Sequence, residues 1–198
     1  MIEHLKNNKN VIPVKIWPGM TVDNIIREMN KSGVFMSGML AEAVNTYEQM
    51  IKEDSYIFMS LSGALIPAGM SKVLIELIER KYIDCIVTTG ANLVHDVMMA
   101  YGGSFYKGST ELKDENLLEK KIDRIYDVLV SEDDFNAKFD EPLLELYDDI
   151  TEKRPNETLS VSELIEEIAI RIPEKNESVL KACHKNGVKV FVPTIHDS

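Results

Sequence analysis

The sequence is poor in cysteine, in tryptophan and in long apolar runs. Two cysteines, Cys85 and Cys183, lie far apart and form no C-x-x-C pair. That excludes a disulfide scaffold and a thiolate zinc site. Cys85 lies in an apolar run and reads as a small core residue. No apolar run approaches the length of a bilayer span. The polar first ten residues lack the apolar core of a signal peptide. These features predict a cytoplasmic protein without membrane contact. Positive charge is also scarce: 22 Lys and Arg stand against 33 Asp and Glu, a net −11. Such a surface repels phosphate backbones and anionic lipid, so nucleic acid is not the expected partner. A cationic small molecule or a basic partner suits it better. No low-complexity tract or internal repeat is present.

Hydrophobic residues at 44% and charged residues at 28% over 198 positions are ordinary for a folded domain. The length predicts one domain spanning 1–198. Thr21-Val22-Asp23 opens a helical period that Gly33 closes. Met36–Ile51 is helical, with methionines at core spacing. Ser55–Ser60 has the length and content of a buried strand. Ser71–Arg80 is an amphipathic helix, Cys85–Thr88 a second strand and Leu93–Tyr101 a further helix. Strand, loop, helix, strand, loop, helix is the pattern of parallel βαβ units. Lys113–Asp127 and Asp133–Ile150 read as charged helices with solvated faces. Ser160 with Glu163 fits a capping box before a helix. Ser178–Asn186 is a helix ended by Gly187, and Val188–Val192 is a third strand. The fold class is α/β: a Rossmann-like parallel sheet flanked by helices.

In such a sheet, ligands bind beyond the carboxyl ends of the strands. Three strand ends stand out. The first is Ser62-Gly63-Ala64-Leu65-Ile66-Pro67. Its small residues permit close backbone approach to an anion such as a pyrophosphate, or simply make a tight turn. The second is Thr88-Thr89-Gly90-Ala91-Asn92, whose hydroxyls and glycine suit ribose or phosphate oxygens; a helix cap is the plainer reading. His95 follows one turn on. It reads as a surface residue, with proton relay as the competing role. The third is Pro193–Asp197, where Asp197 is a ribose-binding carboxylate or a turn residue.

Four blocks carry a resemblance: F-M-S-L-S-G-A-L-I-P-A-G (58–69), D-C-I-V-T-T-G-A-N-L-V-H-D (84–96), R-I-Y-D-V-L-V (124–130) and N-G-V-K-V-F-V-P-T-I-H-D-S (186–198). In this order and spacing they closely resemble the deoxyhypusine synthase family, from about residue 10 to 198. The resemblance implies a Rossmann-like homotetramer with active sites at a dimer interface, NAD as cofactor and spermidine as donor. The aminobutyl group of spermidine passes through an imine on an enzyme lysine. It then goes to a lysine of the hypusine-containing translation factor or, in related members, to a small amine such as putrescine. By the same resemblance Ser62, Gly63, Ala64, Leu65, Ile66 and Pro67 fall on the first NAD loop. Thr89, Gly90 and Ala91 fall on the second, and Asp197 on the ribose-binding aspartate. Val94 and His95 fall where the type enzyme has two consecutive glutamates at the polyamine site.

Two departures follow. Val94-His95 cannot pair with ammonium groups as two carboxylates do; the form resembles the deoxyhypusine synthase-like subgroup and makes a small amine a serious competitor to the translation-factor lysine as acceptor. The family block ending S-W-G-K, with the imine-forming lysine, does not occur. Lys72, Lys185 and Lys189 lie outside any matching context, and no catalytic residue or metal ligand is assigned. The expectation is an N-terminal portion of the enzyme, inactive alone. It should associate with itself or with a C-terminal complement that covers an open sheet edge and an apolar face. The alternative is a non-catalytic regulatory or structural subunit that completes another chain's site.

Overall fold

Thr21 starts the first helix, α1 (Val22–Ser32), through a capping box with Asn24, and Gly33 ends it in the left-handed conformation at φ 64°. The second helix, α2 (Phe35–Lys52), packs against α1. These belong to the first of two compact units in this computed structural model, which divides at Ser55. Residues 9–193 and 195 are described. The methionine spacing of α2 predicts core filling, but Met36 and Met39 are largely exposed and only Ala41 is buried there. A helix facing one partner helix buries one narrow stripe, and these methionines fall outside it.

The second unit, Tyr56–Ser198, holds the predicted α/β pattern. Its elements begin β1 (Phe58–Ser60), α3 (Ser71–Glu79), β2 (Cys85–Val87) and α4 (Gly90–Ala100). They end with α8 (Val161–Arg171), α9 (Val179–Asn186) and β6 (Lys189–Phe191), after an insertion. The sheet is parallel in the order β1-β2-β6, with Phe58 opposite Cys85 and Cys85 opposite Lys189. Met59, Ile86 and Val190 face one way and pack on Ile66, Leu74 and Ile78 of the α3 side and on Val179, Ala182 and Cys183 of α9. Val190 also joins a second cluster with Leu93 and Val97 of α4 and Ile165 and Ile168 of α8. Ser160 and Glu163 form the predicted capping box on α8.

The insertion corrects one expectation. Lys113–Asp127 is not a helix. A short α5 (Asp114–Leu118) gives way to β4 (Ile122–Ile125) and β5 (Val128–Ser131), which pair antiparallel, with β3 (Tyr106–Lys107) on the other side of β5. Lys121 and Tyr126 sit at φ 54° and 59°, which no helix interior allows. The ladder from Ile122 opposite Ser131 to Ile125 opposite Val128 makes the hairpin, with Val130 as its buried residue. After β5 come α6 (Glu132–Phe135), one π-helical turn (Asn136–Asp140) and α7 (Glu141–Lys153). Arg171 of α8 pairs with Glu167 at 2.7 Å and with Asp149 of α7, tying these two helices together.

Candidate functional site

Because β1 and β2 run parallel and adjacent, the turns that leave their carboxyl ends emerge side by side. Leu61 N–H donates to the Val87 carbonyl at 2.9 Å, and Thr88 Oγ1 donates to the Leu61 carbonyl at 3.2 Å. Asn92, buried on the first turn of α4, completes the join. Its amide nitrogen donates to the Ser62 carbonyl at 2.5 Å and to Thr88 Oγ1 at 2.9 Å. The Ser62–Pro67 and Thr88–Ala91 turns therefore form one rigid piece.

Gly63 is the point of closest approach. A Cβ there would lie 2.9 Å from Thr89 Oγ1 and 3.3 Å from the Ala91 methyl group. Thr89 is the N-cap of α4, yet its side chain accepts no hydrogen bond from the helix. The first-turn N–H groups keep their anion-binding capacity. Ser62, Ala64 and Thr89 are exposed around this cradle, whereas Ile66 and Pro67 are buried, Ile66 within the core. The third turn meets the same edge. Thr88 N–H donates to the Phe191 carbonyl at 2.9 Å, which fixes the end of β6 beside the second turn. Asp197 itself lies outside the described residues.

Val94 and His95 are both buried, His95 at 7% exposure, so the reading of His95 as a surface residue is wrong. Hydropathy does not predict this; two aromatic rings do it. Phe105 meets the imidazole edge-on at 5.3 Å between centroids, and Phe135 lies at 6.3 Å. Burial pulls the His95 pKa below its ordinary value, and a weaker bond to the Gly63 backbone opposes that. Two buried side-chain atoms lack partners among the described residues: Asn92 Oδ1 and His95 Nδ1. Buried acceptors are costly to leave unmade, so their concentration at one end of α4 marks a place built for more than packing.

One structural residue escapes the sequence reading. Asp96 accepts from Ser178 Oγ at 2.7 Å, Val179 N–H at 2.8 Å and Leu180 N–H at 2.9 Å. Ser178 Oγ in turn accepts from Lys181 N–H at 3.1 Å. Three of the four orphan donors at the start of α9 are thus satisfied, two of them by a carboxylate from another helix. Burial raises the Asp96 pKa, and these hydrogen bonds pull the other way. No signal in the sequence links positions 82 residues apart. Among the described residues no cluster of His, Cys, Asp and Glu could hold a metal ion, and no helix is long and apolar enough to cross a membrane.

The comparisons agree with this geometry. The deoxyhypusine synthase family model matches residues 24–198. A probable deoxyhypusine synthase of Methanosarcina mazei is 40% identical over 185 residues, covering 93% of this chain and 56% of the relative. One from Methanothermobacter thermautotrophicus is 35% identical over 190 residues, covering 96% and 60%. The crystal structure of a candidate deoxyhypusine synthase from Entamoeba histolytica superposes with a TM-score of 0.65 at 19% identity, over 90% of this chain and 60% of that one. At that identity it speaks for the fold alone. The chain spans a little over half the length of the relatives it matches. With its parallel sheet, paired glycine turns and matched blocks, the chain belongs to the deoxyhypusine synthase family.

Proposed function

We propose that this chain supplies the NAD-binding part of a spermidine aminobutyl transferase. The acceptor is a lysine of the hypusine-containing translation factor or a small amine. The observation that carries the reading is the fusion of the two glycine turns by Asn92, with Gly63 close enough to Thr89 that a methyl group would close the gap. A cradle of small residues at a helix N-terminus fits a pyrophosphate, and the unpartnered Asn92 Oδ1 offers an acceptor to a donor such as a ribose hydroxyl. When bound, NAD supplies the hydride acceptor for spermidine oxidation.

In this reading Ser62–Pro67 and Thr89–Ala91 hold the dinucleotide, and Asp197 takes the ribose by family correspondence. Val94 and His95 border the polyamine. A neutral imidazole accepts a hydrogen bond but supplies no counter-charge, which supports the small-amine acceptor. The nucleophilic lysine lies outside these 198 residues. Lys72 is exposed and pairs with Glu177 at 3.2 Å, and Lys185 pairs with Glu174 at 2.6 Å. Neither sits in the shielded pocket that lowers an amine pKa. The working enzyme is then a cytoplasmic oligomer, with homotetramer as the family form.

The second reading is a non-catalytic subunit that completes another chain's site. Calorimetric titration with NAD and NADH absorbance in the presence of spermidine separate the two. The transferase reading expects NAD binding by the chain and NADH formation only with a lysine-bearing complement. Absence of both refutes it, and binding without turnover selects the subunit. Gly63→Val should weaken NAD binding at least about tenfold, since its side chain occupies the cradle. Unchanged affinity would remove the turn from the site.

A further inference from the structure

We infer that Asn92 Oδ1 and His95 Nδ1 act as one acceptor pair, and that the pair reads the carboxamide NH2 of a nicotinamide ring. The inference rests on the reading of these turns as a dinucleotide site and adds to it the residues that recognise the ring.

Three residues apart, Asn92 and His95 are neighbours on one side of α4. Both are more than nine-tenths buried, and each keeps one polar atom without a partner among the described residues. Both of those atoms are acceptors. Asn92 donates through its amide nitrogen to the Ser62 carbonyl, which can only accept, and to Thr88 Oγ1. That uses both amide hydrogens and fixes the oxygen as the bare end. For His95, the bond to the Gly63 backbone raises the pKa, so the imidazole is the donor there. Nδ1 has no partner, so the proton sits on Nε2. Nδ1 of the neutral ring is then a lone pair.

The complement of two lone pairs is one group with two hydrogens. A hydroxyl fills one acceptor and leaves the other bare. An ammonium brings hydrogens enough, but also a charge. Asp96, the next carboxylate along α4, is already engaged by Ser178, Val179 and Leu180. Phe105 and Phe135 wall His95 with apolar rings, where an unpaired charge is costly. A primary carboxamide supplies two hydrogens and no charge. Nicotinamide carries one beside the ring carbon that takes a hydride, so its reader also borders the amine. Both phenylalanines are only half-buried, and a ring rotation suffices to admit the group.

The test is calorimetric titration of the 198-residue chain with NAD and with its 3-acetylpyridine analogue. The analogue keeps the carbonyl and the charge and exchanges the NH2 for a methyl group. The expected result is NAD binding at least about tenfold tighter than the analogue, because the methyl leaves both acceptors unpaired. His95→Leu should narrow that gap at least about threefold while keeping the wild-type circular dichroism. The 15N resonance of His95 Nδ1 should move with NAD and stay with the analogue, a readout that needs no variant. Equal affinities, the mark of a pair filled by water, would overturn the inference and leave the cradle standing. A gap that His95→Leu leaves intact, or an Nδ1 resonance moved by putrescine and not by NAD, would also overturn it. No binding of either dinucleotide removes the cradle and the carboxamide reader together.

Discussion

Replacing Asp96 by alanine should cost this fold more than any other single polar substitution in α4. Its carboxylate holds Ser178 Oγ, Val179 N–H and Leu180 N–H, and Ser178 is itself buried. Alanine leaves three donors without an acceptor, at about 1–3 kcal/mol each. Part of that returns, because a carboxylate no longer has to be kept out of water. The negative charge also faces the positive end of the α9 dipole, worth up to about 2 kcal/mol in a partly buried setting. The net expectation is a loss of about 3–4 kcal/mol, within the range for removing one partner of a buried charged network. Against a typical total of about 5–15 kcal/mol this moves the protein close to unfolding. Asp96→Asn keeps one oxygen acceptor and presents an NH2 group to at least one donor, so about 2 kcal/mol is expected. Urea unfolding followed by circular dichroism measures both, with the midpoint falling and the slope unchanged. Ser178→Ala combined with Asp96→Ala should cost less than the sum of the two, since they share one hydrogen bond. A loss under 1 kcal/mol for Asp96→Ala, or strict additivity with Ser178→Ala, would refute the view that this carboxylate organises the start of α9.

Further predictions concern titration and reactivity. Burial, opposed more weakly by the Gly63 backbone, holds His95 below its ordinary value of 6.5. The unfolded chain then takes up a proton that the folded chain refuses, so stability is full above pH 6.5 and declines as pH falls toward the folded value. His95→Leu should flatten the melting temperature between pH 7 and about 5.5 relative to wild type; parallel curves would show that His95 does not carry the decline. Burial, with Asp96 and Cys85 adding to it, pushes the Cys183 thiol up to about 12, and burial also raises Cys85. Both thiols should resist a disulfide reagent at pH 8 until urea unfolds the chain. Rapid labelling of either in the folded protein would contradict the packing described.

The sheet and its turns were legible because local chemistry and global fold agree there. Short apolar runs followed by Ser62-Gly63 and Thr89-Gly90 admit one architecture, and the Ser160–Glu163 box marks its helix without tertiary help. Lys113–Asp127 misled for the opposite reason. Its charge density suits a helix surface, and only Val128–Val130 and the left-handed Lys121 and Tyr126 reveal a hairpin. The burial of His95 was illegible because Phe105 and Phe135, which enclose it, come from the insertion after α4. Asn92 read as a helix cap, whereas its amide reaches back to the preceding turn at Ser62.

The bond between Asp96 and Ser178 also bears on how the chain is made. A ribosome adding about 5–20 residues per second needs about 4–16 s to travel from one to the other. Through that interval the nascent α4 carries a carboxylate with no α9 to receive it, and β2 waits without its β6 neighbour. Docking of this late helix, with β6 behind it, is therefore the step at which the β2 edge stops being open to other chains.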